Sequence, residues 1–174
     1  MKAGIFFRGL LLLALMHQAW ATDASDEEFE TKQWQEIKAA LPAAPQEGNL
    51  LPFYVSATDR NQFLVDASSL TVGSDGVVRY VMVIVTPGGA RNVTFEGMRC
   101  ETREHKIYAV GHADGSWAKA RSGDWRRIQE VAANGYHARL FLDYFCAGGV
   151  IASSPAEIVS ALKRGGQARV FGGQ

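Results

Sequence analysis

The stretch from Val77 to Val85 reads VVRYVMVIV. Apolar side chains fill both alternating sets of positions, so a strand built from them is covered on both faces. Branching at the valines and the isoleucine favours extended backbone over helix. The stretch is therefore a central strand, with Arg79 its one charged residue. Asp75-Gly76 opens it with a turn pair, and Pro87-Gly88-Gly89 turns the chain back.

The next segment, residues 92–101, is its antiparallel partner. Val93 and Phe95 share one parity, whereas Met98 and Cys100 share the other. A bulge at Gly97 would bring all four to one core face. Lys106 to Val110 forms a further strand, and Asp114-Gly115 turns the chain before Trp117. Upstream, residues 53–55 and 63–65 read as short strands around a polar turn at residues 57–61. Asp66-Ala67-Ser68-Ser69 then leaves the strand as a turn, because aspartate and serine bond their own backbone.

The period changes after Asn134-Gly135. Tyr136, Leu140 and Tyr144, with Phe141 and Phe145, recur at helical spacing through Cys146. A second helix starts at Ser154, with Pro155 in its first turn and Glu157 three residues past the cap, and ends at Gly165. Strands first and helices last make an α+β fold: an antiparallel β-sheet with C-terminal helices packed on one face.

The N-terminus reads as a cleaved signal peptide, residues 1–21. Lys2 and Arg8 supply its charge, Leu10 to Met16 (LLLLALM) its apolar run, and Ala19-Trp20-Ala21 its cleavage site. The run is short of the ~20 residues a spanning helix needs. No cysteine lies near Ala21, so a lipid attachment site is not expected, nor is a stable membrane anchor. Cleavage leaves 153 of the 174 residues, enough for one domain, with a formal net charge of −2. That balance gives no pull toward nucleic acid. Arg126-Arg127 and Lys163-Arg164 read as solvated helix surface. Residues 22–48 form a leader: Phe29, Trp34, Ile37 and Leu41 suggest a helix over residues 30–41, and Pro42 and Pro45 an extended linker. A single globular domain spans residues 49–165, and residues 166–174 form a flexible tail.

The chain holds two cysteines, Cys100 and Cys146. An even count in an exported chain reads as a disulfide, which the chain-entropy account values at about 3–4 kcal/mol. The rival is a reactive thiol with His137 as its base.

Other chemistry is sparse. His105, His112 and His137 lack metal-ligand spacing and read as surface or capping residues; no metal or cofactor is expected. Gly-x-Ser-x-Gly is absent, which leaves Ser68, Ser69, Asp66 and His137 without a nucleophile signature. Glu96 and Glu101 read as strand-edge charges. Trp117, Trp125, Tyr108 and Tyr136 could line a groove but suit a core. Arginine offers one constellation. Arg79, Arg91 and Arg99 lie on the central strand pair, and with Glu96 they could hold a carboxylate or phosphate. The alternative is a ladder of surface salt bridges.

Several of these pieces occur together in one known family. They are Asn49-Leu50-Leu51-Pro52-Phe53, Val65-Asp66-Ala67-Ser68-Ser69-Leu70, Asp75-Gly76-Val77-Val78-Arg79-Tyr80, Gly89-Ala90-Arg91-Asn92-Val93, Phe95-Glu96-Gly97-Met98-Arg99-Cys100, Ile107-Tyr108-Ala109, Trp117, Trp125 and Leu142-Asp143-Tyr144-Phe145-Cys146. Over residues 49–164 the chain resembles the cryptic neisserial protein family, exported proteins of proteobacteria with no assigned activity. The resemblance implies a periplasmic location and a Cys100–Cys146 disulfide. The expectation is a non-enzymatic envelope domain, binding or structural, with an envelope protein as partner. Its alternatives are a small-ligand or anion-binding protein using the strand arginines and, behind that, a hydrolase.

Overall fold

The computed structural model describes residues 33–129 and 135–166. Its sheet grows from the expected central strand. Strand β3 (Val77–Val85) pairs with β4 (Arg91–Arg99) in unbroken antiparallel register, from Val77 opposite Arg99 to Val85 opposite Arg91. The turn between them closes with Thr86 N–H donating to Ala90 O at 2.9 Å, and Gly89 supplies its positive φ of 82°. On the other side of β3 lie β2 (Gln62–Val72) and then β1 (Leu50–Phe53). Beyond β4 lies β5 (Glu104–Gly111), whose outer edge carries β6 (Trp117–Lys119) and β7 (Arg126–Arg127). All these pairings are antiparallel.

Alternation along β3 feeds two cores. Val78, Tyr80 and Met82 join Phe53, Phe63, Val65 and Met98 in the larger cluster. Val81 and Val83 join Phe95 and Ala109 in a smaller one on the opposite face. All of the β3 members are fully buried, as a strand apolar at every parity requires.

Three local expectations are corrected. First, β4 carries no bulge at Gly97. Phe95 and Met98 serve different cores, and the register slips on β5 instead, where Phe95 pairs with Ala109 but Glu96 with Ile107, leaving Tyr108 as the extra residue. Gly97 is small because Tyr108 lies over it: a Cβ there would come within 2.6 Å of the phenol oxygen. Second, residues 66–69 do not end a strand. They form an irregular stretch inside β2, where five residue steps on β2 match two on β3. Asp66 Oδ1 accepts from Ser68 N–H and Oγ, while Ser69 Oγ donates to Asp66 O and accepts from Val81 N–H at 2.7 Å. Aspartate and serine did bond the backbone, but within the ladder. Third, no helix spans residues 33–41. Residues 34–46 form neither helix nor strand, and several of their polar groups bond to the domain. Ile37 N–H donates to Asp75, Arg79 donates to Ile37 O, and Trp117 Nε1 donates to Pro42 O. Those bonds replace the intrahelical ones.

The C-terminal segment is helical as its spacing indicated, but its winding changes. Helix α1 (Gly135–Arg139) runs into a π-helical stretch, Leu140–Phe145, where Cys146 N–H donates to Phe141 O at 3.0 Å. Phe145 packs edge-on against Tyr80 with centroids 4.9 Å apart. Helix α2 (Pro155–Arg164) has the expected Ser154 cap and a left-handed Gly165 at its end. Arg126 and Arg127 are exposed, but on a strand rather than a helix. The expected signal peptide, residues 1–21, and residues 167–174 of the expected tail lie outside the described residues.

Cys100 and Cys146 are disulfide-bonded, with Cα atoms 5.4 Å apart, which removes the reactive-thiol reading. With a sequence separation of 46, replacing both by alanine should cost about 4 kcal/mol in urea denaturation, from lost loop-closure entropy. Gly97→Ala should cost about 1–3 kcal/mol by overpacking against Tyr108, read as a lower thermal midpoint.

Candidate functional site

The register of the central hairpin puts Glu96 opposite Tyr80, on the same pleat as Met98. Glu96 is fully buried. A charge taken from water into a core is costly unless its lone pairs are matched by donors. Here both oxygens are matched twice. Oε1 accepts from Thr94 Oγ1 at 2.6 Å and Tyr136 Oη at 3.2 Å. Oε2 accepts from Tyr80 Oη at 2.8 Å and His137 Nε2 at 2.9 Å. The donors come from β3, from β4 itself and from two successive residues of α1. Because an ionised carboxylate only accepts, Nε2 of His137 carries the proton.

Burial alone would push the Glu96 carboxyl up. The charge on His137 and its hydrogen bond, with those of Thr94 and Tyr80, overcome that and bring it down to about 2. Burial, and then the Glu96 charge, push Tyr80 and Tyr136 far above the usual phenol range, so both remain donors. His137 lies between two rings, Tyr136 at 3.9 Å and His105 at 3.7 Å between centroids. Burial and the neighbouring His137 charge lower His105 to about 4, so its ring is neutral at pH 7. Nδ1 of His105 and Nδ1 of His137 are both buried without a hydrogen-bond partner.

A carboxylate holding an imidazole is the pairing that general bases use. This pair is closed off, since His137 is only 2% exposed and Glu96 not at all. The Ser69 hydroxyl is already committed to Asp66 and Val81, and both cysteines are in the disulfide. Among the described residues no group of three or more His, Cys, Asp or Glu is placed to hold a metal ion.

The residues singled out from sequence are not brought together. Arg79, Arg91 and Arg99 share a parity on the hairpin that Glu96 does not, so Glu96 points to the other face. Each arginine has its own partner. Arg79 is buried and grips Asp75 through two bonds, at 2.5 and 3.1 Å. Arg91 pairs with Glu47. Arg99 pairs with Glu104 at 3.4 Å and lies 3.7 Å over the Trp34 ring. Glu96 is a core charge, not an edge charge, and His137 is a buried residue, not a surface one. The four aromatics do not share a groove. Trp117 and Tyr108 pack on Phe95, and Trp125 meets Tyr108, whereas Tyr136 stacks on Phe63 in the other cluster. Tyr80, Thr94, Tyr136 and His137 were missed as partners of Glu96, and His105 as the ring stacked on His137. The turn at residues 86–90 sets the hairpin register, which signals the Tyr80 pairing; nothing local signals that Tyr136 and His137 of α1 reach Glu96.

A profile of the CNP1-like family matches residues 29–163. The chain belongs to this family. It is 26% identical over 157 residues to Cryptic neisserial protein 1 of Neisseria gonorrhoeae, an alignment covering 81% of this chain and 77% of that protein. No solved structure matches the chain. The whole Glu96 network, from Tyr80 to His137, lies inside the region shared with the family.

Two shifted groups of this site contribute to the acid stability. His105, with its folded value near 4 against an ordinary 6.5, lets the unfolded chain take up a proton first, so stability falls as pH drops from 6.5 toward 4. Glu96, near 2 against 4.5, contributes stability above 4.5 that is lost as pH falls toward 2. Thermal midpoints measured against pH should therefore fall in two stages. His105→Gln should flatten the upper stage and Glu96→Gln the lower. At pH 7, Glu96→Gln should cost about 3 kcal/mol or more, because it breaks a buried pair and leaves its partners unmatched.

Proposed function

We propose that this chain is an exported domain of the Gram-negative envelope that binds a partner and performs no covalent chemistry. The observation that carries this reading is the closure of the Glu96–His137 pair. The one carboxylate–imidazole pairing among the described residues has its four acceptor positions filled from within and almost no surface. It serves to hold α1 on the sheet. The disulfide is consistent with an oxidising compartment, and the signal-like N-terminus with the route there. No described helix is long and apolar enough to cross a membrane.

Crosslinking of tagged protein in living cells, followed by mass spectrometry of what it captures, tests the reading. One dominant envelope protein is the expected catch. His137→Gln, in a preparation whose melting curve shows a folded domain, should capture it equally well. Turnover of an ester, peptide or glycoside panel that is lost in that folded variant would show a catalytic pair and reject the proposal. So would recovery of the folded protein in the cytoplasm rather than in the osmotic-shock fluid.

A further inference from the structure

The outer edge of β5 is only partly paired. Strand β6 covers residues 109–111 and β7 covers Glu104 and His105, so Lys106 and Ile107 have no partner strand on that side. The segment joining β6 to β7 is fixed at both ends, by Ala120 N–H to Tyr108 O at 3.1 Å and by Ile128 N–H to Arg103 O at 2.9 Å. Between these anchors it encloses a pocket of about 360 Å³ against β5. That volume is within the range of small-ligand sites, and both walls are preformed.

The lining has two parts. Ile107, Val110 and Ala120 make it apolar, and Val110 is 42% exposed there. Arg121 and Arg126 make it cationic. Neither has an acid partner among the described residues, in contrast to Arg79, Arg91 and Arg99. Of the other charges at the rim, Lys106 is neutralised by Glu36 at 2.8 Å, and Asp124, which accepts from Ser122, offsets one of the two guanidinium charges. His105 closes one wall with a neutral ring. The pocket therefore keeps a surplus of guanidinium donors beside apolar side chains. Guanidinium suits a carboxylate through two parallel hydrogen bonds.

We propose that the pocket between β5 and residues 120–126 binds a small organic monoanion, its carboxylate held by Arg121 and Arg126 and its apolar body by Ile107 and Val110. The anion-binding role expected of the strand arginines thus moves to a different pair. The proposal deepens the binding reading above and fails separately from it, since partner capture needs no small ligand.

Calorimetric titration of the purified protein with benzoate, benzyl alcohol and inorganic phosphate tests it, with amide chemical-shift mapping to place the binding. Benzoate should bind in the millimolar range or better and shift the amides of Ile107, Val110 and Arg121. Benzyl alcohol, equal in shape but uncharged, should bind at least about tenfold more weakly, the loss that follows removal of one charged hydrogen bond. Phosphate, which lacks the apolar body, should also be weaker. The double variant Arg121→Gln/Arg126→Gln should lose at least about tenfold in benzoate affinity, as should Val110→Asp, with melting temperatures unchanged because all three side chains are exposed. Equal binding of benzoate and benzyl alcohol would overturn the proposal. So would equal binding of benzoate and phosphate, undiminished binding in either variant, shifts confined to another surface, or no binding by any of the three.

Discussion

A carboxylate buried in the middle of a β-sheet governs this structure. Glu96 has no access to water, so its charge survives only while four donors stay aimed at it. Two come from the sheet, Tyr80 and Thr94, and two from α1, Tyr136 and His137. The helix cannot shift without stranding the charge, and the strands cannot slip register without moving it to the wrong face. The disulfide acts on the same pair of segments, tying the end of β4 to the end of the π-helical stretch. One link is polar and the other covalent, and together they define where the C-terminal segment sits.

The same constraint explains why the most reactive-looking group is not exposed. Filling every acceptor position of Glu96 satisfies the core. Conservation of charge in the core has a cost elsewhere: two imidazole Nδ1 atoms remain buried without partners beside it. His105 tolerates this by staying neutral against the His137 ring.

The opposite face is organised by a different arginine logic. Asp75 orders residue 37 and Arg79 at once, so a segment without helix or sheet bonds of its own is held over Val81, Val83 and Phe95. The central strand β3 is thereby buried on both faces. At the β5 edge two cations without acid partners among the described residues, Arg121 and Arg126, line one pocket, whereas the arginines of the central hairpin are each paired.

The sequence by itself determined the central strand, the hairpin that follows it, the capped final helix and the two-cysteine bridge. Each rests on local physics or on pairing without alternatives: apolar residues at both parities, a glycine turn, a serine cap and a glycine stop, and two cysteines with only each other to meet. It placed Glu96 on a strand but read it as an edge charge. Tertiary structure alone decided the rest. Helical spacing gave way over residues 33–41 because long-range bonds to Asp75, Arg79 and Trp117 satisfied that backbone instead. The bulge moved from Gly97 to β5 because two separate cores, not one, received Phe95 and Met98. Glu96 became the structural centre only when a histidine and a tyrosine distant in sequence were folded onto it, since a buried charge is defined by its partners and those partners are set by three-dimensional packing.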